Sequence, residues 1–248
     1  MGSGRAQLSP SPSRLRYGEH PRDARIGVST PEPGGAVSAQ SIQAVLLFGA
    51  PGVGKGTQGK ALGCVPGFVH FSMGDAFRSL SPTSVLGKKA AEYTSRGELV
   101  PDETTIQLFH ARLGELESRG VYRPDRDILA LDGIPRSVRQ VELLNEKVQT
   151  LAVVHLACTS GAAEAELISR LRKRALEQNR ADDAREDVIR RRFEVYRAET
   201  APVLERFPPE IVSTVDPIGT PAEVLMRVLA VVAPVQRAAM DARASSAA

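Results

Sequence analysis

The stretch best equipped for chemistry in this 248-residue chain is Gly49-Ala50-Pro51-Gly52-Val53-Gly54-Lys55-Gly56-Thr57-Gln58. Its glycines let backbone N–H groups turn toward an anion and approach it closely. The stretch follows an apolar run, Ala44–Phe48, and opens a helical pattern whose positive dipole end would face the same anion. Lys55 adds a mobile point charge that can follow a phosphoryl group as its charge redistributes. The commonest loop of this kind has Ser or Thr directly after the lysine. Here residue 56 is Gly and the hydroxyl comes one later, at Thr57. The plain alternative is a Gly-rich connection between strand and helix, against which the lysine in this setting argues.

Phosphoryl transfer between two phosphorylated molecules crowds negative charge, so a site built for it should be rich in Arg, whose planar fork grips phosphate oxygens in pairs. The chain supplies arginines at separated places: Arg78, Arg136, and a segment from Arg170 to Arg192. That segment holds eight Arg and Lys173 against Glu177, Asp182, Asp183, Glu186 and Asp187. Arg136 follows Asp132-Gly133-Ile134-Pro135 at a strand's end, where an α/β sheet places its ligands. Arg170 and Arg174 are four apart and share a helix face, and Asn179-Arg180-Ala181-Asp182-Asp183 then breaks the helical pattern like a short lid. Gln140 lies one helical turn beyond Arg136, and its carboxamide offers both a donor and an acceptor to a ligand. Each has a plainer reading: a solvated, ion-paired helix pair for the charged segment, a surface Arg at 78, a helix-capping Asp132, an exposed helix Gln140.

Short apolar runs alternating with longer helical patterns would position these residues. Strands are expected at Ala44–Phe48, Phe68–Phe71, Ile128–Leu131, Leu151–Ala157 and Ile211–Val215. Their near-continuous apolar character suits parallel strands covered on both faces. Helices are expected at Gly54–Leu62, Ser84–Ser95, Glu103–Ser118, Val138–Lys147, Ala162–Leu176, Glu186–Arg206 and Pro221–Val232, and Arg78 falls in the first helix after the second strand. This alternation implies an α/β three-layer sandwich with a central five-stranded parallel sheet and ligands at the carboxyl ends of its strands.

Residues 1–40 contain six Gly, six Ser and five Pro without periodicity, and read as a disordered tail. Their Arg- and Ser-rich, acid-poor composition loosely resembles a transit peptide, but they lack its amphipathic run. A plain tail, or a start site assigned too early, is the reading preferred. The folded domain is expected over 41–236, with a second disordered tail at 237–248. No apolar run approaches the roughly 20 residues a bilayer requires, and Cys64 and Cys158 are too few for a disulfide framework or a four-cysteine zinc site. A reducing cytosol fits. The net charge of +3 comes mainly from residues 1–40, and with four Tyr, seven Phe and no Trp a nucleic-acid partner is not expected.

The decamer Gly49–Gln58 resembles the phosphate loop of the adenylate kinase family of nucleoside monophosphate kinases. Four further segments resemble that family in order: His70-Phe71-Ser72-Met73-Gly74-Asp75-Ala76-Phe77-Arg78, Gly97-Glu98-Leu99-Val100-Pro101-Asp102, Leu131–Ser137 with Gln140, and Arg170–Arg192. Together they cover roughly residues 43–232. The resemblance implies a reversible transfer of the terminal phosphoryl group of MgATP to AMP, giving two ADP. Lys55, Arg136, Arg180 and Arg192 would be catalytic. Gly52, Val53, Gly54, Lys55, Gly56, Thr57, Arg170, Arg174 and Gly219 would bind ATP. Met73, Arg78, Glu98, Leu99, Val100, Gly133, Ile134, Pro135, Arg136, Gln140, Arg180 and Arg192 would bind AMP. No side chain would ligate the Mg2+ directly; Asp132 would orient its waters, with Thr57 nearby. A small acceptor-binding insert near 72–101 and a short lid near 174–184 would close over the substrates. A short lid without a Cys pair implies no zinc, and the family implies a monomer.

Three departures bear on this reading. Met73 stands where the family usually has Thr, and a thioether makes no strong hydrogen bond to a base. The chain is one residue longer than usual between Arg180 and Val188, so Arg191 and Arg192 compete for one role. Arg192 is preferred because Arg192, Tyr196, Thr200 and Pro202 keep the family spacing. Ser137 and Gln140 favour AMP over pyrimidine monophosphates, whose kinases carry an Asn pair in this region. A CMP or UMP kinase is thus the nearest rival. A non-enzymatic GTP-binding switch is remote, since the chain lacks an Asn-Lys-x-Asp guanine reader.

Overall fold

The computed structural model describes residues 41–157, 164–178 and 185–246. Strands β1 (Ile42–Gly49), β2 (Phe68–Ser72), β3 (Ile128–Asp132), β4 (Val148–Leu156) and β5 (Val212–Val215) form one sheet in the order β2-β3-β1-β4-β5. Every neighbouring pair is parallel. β1 lies at the centre and is buried along almost its whole length. Its apolar run divides between two faces, as a period of two requires. Ala44, Leu46 and Phe48 enter one core, and Val45 and Leu47 the other.

Among the described residues eight α-helices accompany the sheet: α1 (Lys55–Leu62), α2 (Met73–Arg78), α3 (Val85–Thr94), α4 (Asp102–Ser118), α5 (Val138–Asn145), α6 (Glu164–Gln178), α7 (Glu186–Val195) and α8 (Pro221–Ser246). The first core takes Ile106, Phe109 and Leu113 from α4, with Val141 and Leu144 from α5. The second takes Leu62 from α1, Leu167 and Leu171 from α6, Ile189 and Phe193 from α7, and Val224, Val228 and Val232 from α8. Each such buried apolar side chain contributes about 1.5–3 kcal/mol relative to exposure. The expected three-layer architecture is therefore present.

Three elements differ from the sequence expectation. α2 is the helix expected to carry Arg78 after the second strand, but its six residues are too few for periodicity to give it bounds; it is started by the Ser72 hydroxyl, which accepts from the Asp75 N–H at 3.2 Å. The single helix expected over Glu186–Arg206 ends at Val195, passes through a π turn at Tyr196–Thr200 and finishes as a 3-10 segment, Ala201–Arg206. Pro202 supplies the reason: it has no N–H to donate, and its ring crowds the carbonyl four residues back. The third correction concerns the C-terminus, where a helix ending at Val232 and a disordered tail over 237–248 were expected. α8 instead runs to Ser246 through Pro234. Tertiary contact outweighs the proline: Val232 is fully buried, Gln236 donates to the Pro66 carbonyl at 2.8 Å, and Arg243 bonds both the Gln43 side chain and the Asp127 carbonyl. Of the expected lid, residues 179–184 lie outside the described residues, as do residues 1–40.

Candidate active site

Parallel pairing gathers the carboxyl ends of the strands at one edge. Asp132 at the end of β3 pairs with Leu47 of β1 and Ser72 of β2, while Gly49 pairs with Leu156 of β4. From that edge the loop 50–54 leads into α1, whose cap is Gly54 with no side-chain hydrogen bond. The first N–H groups of this helix therefore lack a capping side-chain acceptor, the arrangement in which helix N-termini in general receive anions.

Lys55 is the first residue of α1 and turns back across the loop, donating to the carbonyls of Gly49 at 2.6 Å and Ala50 at 3.0 Å. Burial lowers the pKa of its ammonium to about 7; Arg136, Arg192 and Arg174 add to the depression, and Asp132 opposes it. All four charged groups thus lie close enough to the lysine to be felt. Burial pushes the Asp132 carboxyl up, but His70, Lys55 and Arg136 outweigh it and hold the group below the usual carboxylate range. His70 Nε2 is 3.9 Å from Asp132 Oδ2, beyond hydrogen-bond reach, so its hold on the carboxylate is electrostatic. Gly56 fits this crowding, since a Cβ there would stand 3.3 Å from Asp132 Oδ2.

Two connected hollows meet at Arg136 and Arg192, which line both, as do Gly97, Leu99 and Gly133. The inner one is bounded by Lys55, Pro135, Tyr196 and Thr200. The outer one, about 740 Å³, is lined by Met73, Arg78, Glu98, Val100 and Gln140 among others, and it is large enough for a nucleotide. Arg192 faces this cleft, whereas Arg191 lies outside it and pairs with Glu194 at 3.0 Å. α7 meets the loop between α3 and α4 at Gly97, where a Cβ would lie 2.7 Å from the Val188 carbonyl and φ is +73°. Only glycine accommodates both conditions.

Gln140 is 2% exposed, which removes its reading as a surface helix residue. Its Oε1 accepts from the Arg136 N–H at 2.7 Å, and its Nε2 donates to Asp102 Oδ1 at 2.9 Å. Asp102 Oδ1 also accepts from the Ser137 hydroxyl at 2.9 Å, and that hydroxyl in turn caps α5 by accepting from the Gln140 N–H. Asp102, Thr200 and His70 received no role from the sequence, because their partners are distant in the chain. Arg185 also lines the outer hollow.

The remaining expected residues are dispersed. Val53 and Ile134 are buried in the two cores and act as packing. Thr57 is exposed on α1. Arg170 bonds Glu166 along α6, and Gly219 lies in the loop between β5 and α8; neither lines the hollows above. Arg180 lies outside the described residues. No described helix is long and apolar enough to cross a membrane. Among the described residues no group of three or more His, Cys, Asp or Glu gathers to hold a metal ion.

Comparison with known proteins agrees with this geometry. Residues 47–211 match the family model described as adenylate kinase. The chain is 38% identical over 188 residues to the adenylate kinase of Thermobifida fusca, covering 75% of this chain and 95% of that protein. It is 39% identical over 185 residues to that of Mycobacteroides abscessus (74% and 95% covered). With the Kocuria rhizophila adenylate kinase the identity is 39% over 189 residues (75% and 96% covered).

Proposed function

This chain belongs to the adenylate kinase family and transfers the terminal phosphoryl group of ATP reversibly to AMP, giving two ADP; from that premise we propose how its residues divide the work. The observation that carries the assignment is the convergence of Lys55, Asp132, Arg136 and Arg192 where the phosphate loop meets the outer cleft.

ATP lies with its phosphates along the N–H groups of 52–57, the loop that begins α1. AMP occupies the hollow lined by Met73, Arg78, Glu98, Leu99, Val100 and Gln140, with its phosphate toward Arg136 and Arg192. Lys55 leaves the Gly49 and Ala50 carbonyls to follow the moving phosphoryl group, while Arg136 and Arg192 neutralise its equatorial oxygens. The reaction is a direct in-line displacement without a phosphoenzyme. Arg174, felt by Lys55, supports the donor side, with Arg170 and Gly219 joining it, and Arg180 completes the cage when the lid near 174–184 and the insert near 72–101 close and expel water.

Bound with ATP, Mg2+ would supply charge neutralisation for the donor phosphates. Asp132, a buried carboxylate kept ionised at the base of the loop, and the Thr57 hydroxyl are hard oxygen groups suited to orient its water. We read the protein as a cytosolic monomer; the exposed free thiol of Cys64 suits a reducing compartment.

The acceptor base is tested by a coupled assay with AMP, CMP, UMP and GMP on the parent enzyme and Gln140→Ala. AMP should be preferred, and the variant should raise KM for AMP. A parent enzyme that prefers CMP or UMP, or a variant with unchanged KM, would refute the adenine assignment.

A further inference from the structure

Thr200 is a polar residue only 8% exposed, and its hydroxyl has a definite partner. Thr200 Oγ1 donates to the carbonyl oxygen of Arg136 at 2.9 Å, across 64 positions of sequence. The N–H of the same arginine is held from the other side by Gln140 Oε1 at 2.7 Å, and its Nε donates to the Gly133 carbonyl at 3.0 Å. Both main-chain polar groups of Arg136 are thus satisfied by side chains from two different elements, neither by a strand ladder nor by a helix. A loop held this way has its height and rotation set by those side chains.

The two anchors are not equivalent. Gln140 is on α5, the helix that Arg136 itself leads into, so its bond is local. Thr200 closes the π turn Tyr196–Thr200 that continues α7, the helix that carries Arg192. Val195, Tyr196 and Thr200 line the inner hollow beside Lys55 and Arg136. Single π turns of this kind occur at functional sites more often than elsewhere.

We propose that Thr200 is a positioning residue for phosphoryl transfer: its hydroxyl ties the Arg136 loop to the end of α7 and fixes the spacing between the Arg136 and Arg192 guanidinium groups. The proposal rests on Arg136 contacting the transferred phosphoryl group. One neutral hydrogen bond adds little to stability, whereas a shift of about 1 Å in a charge-stabilising group costs on the order of 10²-fold in rate. The hydroxyl therefore bears on turnover as well as on folding, and the Arg136→Ala background separates the two.

The test compares Thr200→Val and Thr200→Ser in the parent and Arg136→Ala backgrounds, measuring kcat, both KM values and the thermal midpoint. Thr200→Val should lower kcat about tenfold or more while KM for ATP and AMP stays within about threefold, and Thr200→Ser should recover most of the loss. In the Arg136→Ala background Thr200→Val should cost nothing further, because the residue it positions is gone. Parent-like kcat in Thr200→Val, an equal loss in Thr200→Ser, or the same fold-loss in both backgrounds would each overturn the proposal. Should valine not fold at this position, Thr200→Ala makes the same comparison. Parent-like turnover in Arg136→Ala alone would instead overturn the role of Arg136 itself, and so separates the two failures.

Discussion

Lys55 serves the empty site and the occupied one differently. Without nucleotide its ammonium rests on two carbonyls of its own loop, and burial keeps its pKa near 7. A triphosphate arriving beside it favours the charged form. At pH 8 the free enzyme therefore holds this lysine largely neutral, and ATP binding should take up close to one proton. Below about pH 6 the lysine is charged in both states and the uptake should vanish. Calorimetry in buffers of differing ionisation enthalpy reads this number directly; zero uptake at pH 8 would remove the depressed pKa. Lys55→Ala should lower kcat by about 10²-fold or more, the scale of losing one transition-state stabiliser. Gln140 shows how far a single residue was legible. Its type and its place one turn past Arg136 marked it as a ligand candidate, but its bond to Asp102, 38 positions away, is a product of tertiary folding that no local pattern carries.

The elements were legible where burial is two-sided, and less so where one contact decides. Periodicity located all five strands, because β1 and its neighbours are covered on both faces and their apolar runs are dense. It gave no bounds for α2, the helix of Arg78, which has a capping serine but only six residues, and it stopped α8 short at a proline. What carries α8 onward is a set of side-chain bonds at the opposite end of the sheet from the phosphate loop, above all Arg243 on Gln43 and Asp127. Arg243→Ala should therefore cost about 1 kcal/mol, or roughly 2–4 °C in thermal midpoint. Its kcat should stay at the parent value, since Arg243 is remote from Lys55. A lowered kcat with an unchanged midpoint would contradict this division between scaffold and site.

For the molecule entire, the cleft has two halves that share Arg136 and Arg192, so a ligand spanning both should be held better than either nucleotide. Diadenosine pentaphosphate should bind one per chain and compete with both substrates. At 100 times its dissociation constant it should stabilise the protein by about 2.7 kcal/mol, raising the midpoint by roughly 5–10 °C. Two independent binding events, or none, would break the single-cleft reading. The strand order carries one further implication, about when this cleft can exist at all. The strand bearing the phosphate loop finds its neighbours only far downstream, Ala44 beside Leu129 and Ile42 beside Val148. Long-range pairings of this kind form slowly, since loop closure must precede their reward. A nascent or half-melted polypeptide therefore owns no cradle for a triphosphate, and cannot squander ATP before its architecture is complete.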